Sequence, residues 1–401
     1  MQTDGSLTTL PIARNPAGRI TSIDVVRGLV MVIMALDHVR DLLHVTATDQ
    51  DPTNLATTTA PLFLTRWITH LCAPTFVFLS GTSAYLSLRK RNDGAARQFL
   101  LKRGLVLILF ELTIVNFAFW FEIPFRALLL QVIYAIGAGF VILSFLARFR
   151  ARTLGIVGLV ILFGHNLLGL VTLPPNPAFG FVWALLFQTN FFQITPDFAV
   201  LVGYPVVPWL GIMLVGYGLG PLFEKPLHER KRTLARLGVG ALVLFVGLRL
   251  PNVYGDGSPW SVQATPLFTV LSFINVSKYP PSLLYSLLML GIALLLLAWA
   301  DGVSNTVSRV LTVYGAVPMF YYILHWYLVH LLLLGLLVLQ GFSLSNLNPA
   351  PFSFGRPKGS GVELGWVYLV WAGVVIGLYP LCKWYGRYKA EHPEKGWLRY
   401  V

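Results

Sequence analysis

Apolar runs of about 20 residues, long enough to cross the roughly 30 Å hydrocarbon core of a bilayer as helices, recur along this chain from end to end. They predict spanning helices near residues 20–43, 61–89, 98–121, 124–148, 152–173, 199–223, 233–250, 281–300, 308–340 and 363–388. Four longer connections, 44–60, 174–198, 251–280 and 341–362, are rich in Pro, Gly, Asn, Thr and aromatics, and long ordered loops more often carry function than short connectors do. Within them, Phe179 to Phe192 and Leu267 to Val276 are apolar but short, which suits re-entrant or interfacial segments. The pattern is that of an all-α integral membrane protein with about ten transmembrane helices. Residues 1–19 form an N-terminal tail, 20–388 one polytopic domain, and 389–401 a C-terminal tail.

Composition agrees: 56% of residues are hydrophobic and 12% charged, against about 25% charged in soluble domains. The first 19 residues carry Pro11 and Pro16 and lack an apolar core followed by a small-residue cleavage site, so they read as a cytoplasmic tail and not a cleaved signal peptide. A net charge of +13 raises the question of nucleic acid. With the N-terminus placed in the cytoplasm, 23 of the 30 Lys and Arg fall on the inner side. The outer side keeps Arg40, Arg66, Arg126, Arg249, Lys278, Arg356 and Lys358. That asymmetry is what the positive-inside rule requires. It puts both termini in the cytoplasm and accounts for the basic residues without a nucleic-acid partner, for which no motif is present. Cys72 and Cys382 fall in opposite halves of the membrane and should not pair.

The first span breaks the apolar pattern at both ends. Asp24, Arg27, Met31, Met34, His38 and Asp41 are spaced 3, 4, 3, 4 and 3 residues apart, so they share one helix face. Ionisable groups at membrane depth are costly and mark function by default. Asp41 is placed to orient His38 and raise its basicity; the plainer reading is an interfacial Asp24–Arg27 pair with His38, Arg40 and Asp41 reaching headgroups. Of the eight histidines, His228 and His392 fall in cytoplasmic segments and His165 stands alone in the fifth span. His38, His44, His70, His325 and His330 map to the central or outer part of the membrane. Arg66, Trp67 and His70 open the second span, and Tyr321, Tyr322, His325, Trp326 and His330 crowd the ninth. These residues suit either an aromatic interfacial belt or a polar cavity among the first, second and ninth spans. No HExxH-type metal motif and no Walker-type phosphate loop is present, so no metal is expected.

Arg19-x-x-x-Ile23-Asp24-x-x-Arg27-Gly28, with His38 fourteen residues after Asp24, resembles the first-helix signature of acyltransferase type 3 proteins, in which the matching histidine is the proposed catalytic base. The chain as a whole is most similar to the family of heparan-alpha-glucosaminide N-acetyltransferase and its bacterial members. The motifs are Ala73-Pro74-Thr75-Phe76-Val77-Phe78-Leu79-Ser80-Gly81-Thr82-Ser83, Tyr204-Pro205-Val206-Val207-Pro208-Trp209-Leu210-Gly211-Ile212-Met213 and Gly315-Ala316-Val317-Pro318-Met319-Phe320-Tyr321-Tyr322-Ile323-Leu324-His325. This resemblance implies a multi-pass acyltransferase of a bacterial inner membrane, moving an acyl group, expected to be acetyl, from cytoplasmic acyl-coenzyme A to a sugar-like or other extracytoplasmic acceptor. His38 is then the first catalytic candidate, with Asp41, His44 and His70 beside it. Asp24, Arg27, Lys102 and Arg103, with Lys90 and Arg91, are the donor-side candidates, and Arg66, Trp67, Tyr321 and His325 the acceptor-side ones. In the heparan-modifying enzyme the position of His38 is an asparagine, and the active histidine lies in a loop where this chain has only His44. The competing reading of the same residues is a proton-coupled small-molecule transporter, with His38 and Asp41 as the relay.

Overall fold

In lipid, every backbone N–H and C=O must be satisfied within the protein, and the long apolar runs do so as helices. The computed structural model describes residues 20–89, 93–171, 176–343, 347 and 354–400; the tail 1–19, Lys90 and Arg91 lie outside them. The helices are α1 (Thr21–Leu43), α2 (Ala60–Thr69), α3 (Cys72–Leu88), α4 (Asp93–Phe110), α5 (Asn116–Trp120), α6 (Val132–Leu146), α7 (Ala151–Gly164) and α8 (Pro177–Leu186). They continue as α9 (Val206–Gly218), α10 (Leu227–Arg249), α11 (Pro266–Ile274), α12 (Leu283–Ala300), α13 (Thr306–Ala316), α14 (Pro318–Leu339) and α15 (Leu364–Glu391). Among the described residues, six helical stretches are long and apolar enough to cross a membrane: Ala60–Leu88, Ala151–Leu170, Val206–Glu224, Leu283–Ala300, Pro318–Leu339 and Leu364–Glu391.

Several predicted elements change form, each for a local reason. The stretch 61–89 bends at His70 and Leu71, between α2 and α3, where the Tyr285 hydroxyl donates to the His70 carbonyl at 2.7 Å. The stretch 308–340 is two helices: Pro318 disfavours a helical conformation at Val317 (φ −132°, ψ 52°), so α13 ends and α14 begins there. The first part of 124–148 is a strand, β1 (Ala127–Leu130), parallel to β3 (Phe198–Val202), which pairs antiparallel with β2 (Asn190–Thr195). A short apolar run does not reveal by its period whether it is buried helix or strand. Here Asn116 decides, its carboxamide both accepting from Leu129 N (2.8 Å) and donating to Leu129 O (3.0 Å). A π turn, Glu111–Val115, joins α4 to α5, and the Glu111 carboxylate accepts from Gln131 N and Tyr134 N. It thereby satisfies donors that the first turn of α6 leaves without intrahelical partners. Phe179 to Phe192 divides into α8 and β2, and Leu267 to Val276 is mostly α11, capped by Thr265.

At the centre, α1 packs against α3, α12, α13, α14 and α15. Where α1 crosses α13 the backbones touch: a Cβ on Gly28 would lie 1.8 Å from the Leu311 carbonyl oxygen, and one on Gly315 1.9 Å from that of Asp24. Such contact through small residues is how helices associate where burial from water gives no driving force. Beyond the C-terminal end of α1, the segment between α10 and α12 is held by two hubs, the buried Arg249 and the partly buried Asp256. Arg249 donates to the carbonyls of Ser258, Ser272, Phe273 and Asn275 at 2.8–3.1 Å. Asp256 accepts from Ser277 Oγ (2.7 Å) and Ser282 Oγ (2.6 Å).

Candidate functional site

The polar stripe of α1 lines two adjoining cavities. The first, about 310 Å³ and nearer the N-terminal end of α1, is lined by Arg27, Met31, Met34, Arg103, Phe140 and Tyr322, among others. The second, about 260 Å³, is lined by Met34, Asp37, His38, Asp41, Arg66 and Lys278, among others. Met34, Phe76, Val132 and Tyr322 belong to both linings and form the wall between them.

In the second cavity, one helical turn beyond the wall residue Met34, His38 meets His325 of α14, with Nδ1 of His38 2.5 Å from Nε2 of His325. Nδ1 of His325 lies 3.0 Å from the Tyr321 carbonyl oxygen. A carbonyl only accepts, so that nitrogen carries the proton and Nε2 of a neutral His325 offers a lone pair. His38 then donates from Nδ1, and its own Nε2 is left as the basic nitrogen. Trp326 stacks on the His38 ring at 3.9 Å between centroids and fixes its plane.

The carboxylates do something other than expected. Asp41 does not orient His38; it accepts from Arg40 at 2.6 Å. Asp37 accepts from Arg40 at 2.8 Å and also from Arg66. A guanidinium forms the stronger, charge-assisted bonds with a carboxylate, which leaves the imidazole to pair with the second histidine.

Other candidates separate. Arg66 lines the His38 cavity and His325 stands behind it, bonded to His38. Tyr321 lines neither cavity; its carbonyl holds His325. Trp67 donates its indole N–H to Ile274 O at 3.0 Å and also lines neither. His44 turns away: its Nδ1 meets Thr46 Oγ1 at 3.0 Å, and its carbonyl accepts from Arg356. Those contacts follow from its place just past the end of α1, where the chain leaves the helix and bridges Val362. His70 lines a separate vestibule of about 560 Å³ with Arg40, Asp41, Arg66 and Lys278, because the bend after α2 carries it away from His38. His330 stacks on Phe121 at 4.1 Å, and His165 Nε2 lies 2.7 Å from Pro281 O.

Toward the N-terminal end of α1, Arg27 reaches Asp24 (3.2 Å), Ser83 Oγ (2.8 Å) and Gly315 O (3.2 Å). Arg27 lines the first cavity, and both residues line a further pocket of about 740 Å³ with Arg89 and Arg230. Arg103 lines the first cavity, its guanidinium 5.4 Å from the Phe140 ring centre. Lys102 is exposed and lines none of these cavities, since consecutive helical residues point about 100° apart. Residues that sequence reasoning did not assign to the site also line it, among them Gln131 and Lys278 in the second cavity and Lys389 and Tyr400 in the first. Gln131 had a legible signal, as a polar residue inside an apolar run. Among the described residues, no three His, Cys, Asp or Glu side chains stand together as a metal site.

Comparison with known proteins gives one family. A family model described as heparan-alpha-glucosaminide N-acetyltransferase, catalytic, matches residues 19–250. No curated protein matches the chain. The matched region runs from the start of α1 through α10 and so contains His38, Arg66 and Arg103, while Lys278 and His325 lie beyond it. The likeness to acyltransferase type 3 proteins rests on the first-helix residues alone. With more than half its length matched, the chain belongs to the heparan-alpha-glucosaminide N-acetyltransferase family of membrane acetyltransferases.

Proposed function

We propose that this protein takes an acyl group, acetyl in the first instance, from acyl-coenzyme A in the first cavity and passes it to a sugar-like or other acceptor in the second. His38 is the general base. The observation that carries this reading is the position of His38, which lines the second cavity one helical turn from the wall residue Met34 and has one ring nitrogen uncommitted. In the reaction, Nε2 of His38 takes the proton of the acceptor O–H or N–H as that atom attacks the thioester carbonyl. The new C–O or C–N bond forms, the C–S bond breaks, and the departing thiolate recovers the proton from His38. Because His38 donates from Nδ1 to His325, the proton enters and leaves at one nitrogen. Arg27 and Arg103 supply positive charge for the coenzyme phosphates.

The topology that goes with this reading has ten spans, with the tails 1–19 and 389–401 on the cytoplasmic side of a bacterial inner membrane. The N-terminal end of α1 then faces the donor and the C-terminal end faces the acceptor. It is supported by the bias of Lys and Arg to one side of the ten predicted spans. Family membership gives the transporter reading no support.

The test is transfer by purified protein in proteoliposomes, with labelled acetyl-coenzyme A on one side and a panel of sugars and amino sugars on the other. Free thiol should appear on the donor side and label in an acceptor across the membrane. His38→Ala should lower the rate by about 10²–10⁴. Undiminished transfer by that variant sinks the assignment of the base, and solute uptake without any acyl donor sinks the reading as a whole.

A further inference from the structure

From the charges of the second cavity we infer that its acceptor carries an anionic group, a carboxylate, sulfate or phosphate, that binds Lys278 while the reacting atom faces His38. The identification of this ligand as the acceptor rests on the acyltransferase reading; its charge does not. Three cations, Arg40, Arg66 and Lys278, stand around this cavity and its vestibule with Asp37, Asp41 and, at the exposed rim of the vestibule, Asp51, whose carboxylate accepts from Thr53. The two arginines are matched: Arg40 bonds Asp37 and Asp41, and Arg66 bonds Asp37. Lys278 is only 8% exposed, and among the described residues no carboxylate lies within 4.0 Å of its ammonium. Its ammonium lies 5.1 Å from the centre of the Tyr279 ring; a buried charge without a direct ion pair is unfavourable, and an anionic ligand would supply that pair.

Two further features separate this lysine from one that merely reaches for solvent. Its backbone is fixed, since Ser277 beside it is tied to Asp256 and Asn275 to Arg249. Gln131 lines the same cavity, and its carboxamide N–H group is buried with no hydrogen-bond partner among the described residues. Lys278 and Gln131, both in the lining of one cavity, thus each carry a donor with no hydrogen-bond acceptor among the described residues, and such donors are the complement of an oxyanion. Because Lys278 and His38 line the same cavity of about 260 Å³, the anionic group and the reacting hydroxyl or amine belong to one small molecule or one sugar residue.

The experiment uses matched pairs on the full-length protein in detergent: p-nitrophenyl glucuronide against p-nitrophenyl glucoside, and glucose 6-phosphate and glucose 6-sulfate against glucose. Binding is read by ligand-induced thermal shift and by competition, neither of which needs turnover. At least one anionic member should bind ten-fold or more tighter than its neutral partner, and the pair that does so identifies the anion. That preference should fall to near one in Lys278→Met and return in Lys278→Arg. Equal binding of every anionic and neutral pair by the wild-type protein overturns the proposal, as does a preference that survives Lys278→Met. Preference without transfer to any acceptor would leave the anion site standing and remove the acyltransferase reading, so the two can fail separately.

Discussion

Each end of α1 carries an aspartate and an arginine three residues apart, Asp24 with Arg27 and Asp37 with Arg40, yet the two pairs end in different surroundings. At the first, the arginine also reaches a serine of α3 and a carbonyl of α13, beside the place where α1 and α13 touch backbone to backbone. At the second, the pair extends through Asp41 and Arg66 into a charged network, next to two bonded histidines and a lysine without a carboxylate. The same local spacing becomes a fastening at one end and a polar cavity at the other. Partners from distant parts of the chain decide which.

Three pairs of substitutions probe that contrast, beginning with the distal end. His325→Leu removes the acceptor of the His38 Nδ1 proton and should lower turnover by about 10²-fold, with little change in KM for the donor. His325→Gln, whose carbonyl can accept the same proton, should recover part of the rate, and the pH–rate profile should shift between the two variants. Equal profiles and full activity in His325→Leu would reduce the pair to packing. At the proximal end, Gly28→Leu forces a side chain against the Leu311 backbone. The loss should be about 1–3 kcal/mol or more, read as a lower melting temperature in detergent, whereas Gly335→Leu, with nothing near its Cβ, should melt as the wild type does. Smallest is the contrast along α4. Arg103→Ala should raise the KM for acyl-coenzyme A about ten-fold, as loss of a charged hydrogen bond would, and Lys102→Ala less than two-fold. Equal effects would mean that the coenzyme lies outside the first cavity.

The stripe on α1 was legible because helical spacing is a local property, and Met31, Met34, His38 and Asp41 line cavities as their common face requires. The six long apolar stretches were legible for the same reason, with Pro318 marking a break inside a run that hydrophobicity alone joins. The partner of His38 was not, since 287 residues separate it from His325 and the sequence offers His44, His70 and His330 as equal candidates. Asp41 looked like its orienting acid until Arg40 is seen to hold it. The sheet was hidden because β1 and β3 are short and apolar, and Lys278 because a basic residue in a long loop is ordinarily solvated.

The contact between Gly28 and Gly315 also limits how the wall between the cavities can move. Sliding α1 along α13 by one turn would drive Cβ-bearing residues into the carbonyls that now rest on glycine, so the axial position of α1 is locked. Gly81 and Gly216 lock α3 against α9 in the same way. Of the four side chains in the wall, Met34 and Phe76 are borne by these clamped helices. Under the proposed transfer, passage there falls to rotation of thioether and aromatic side chains and not to the shearing of whole helices.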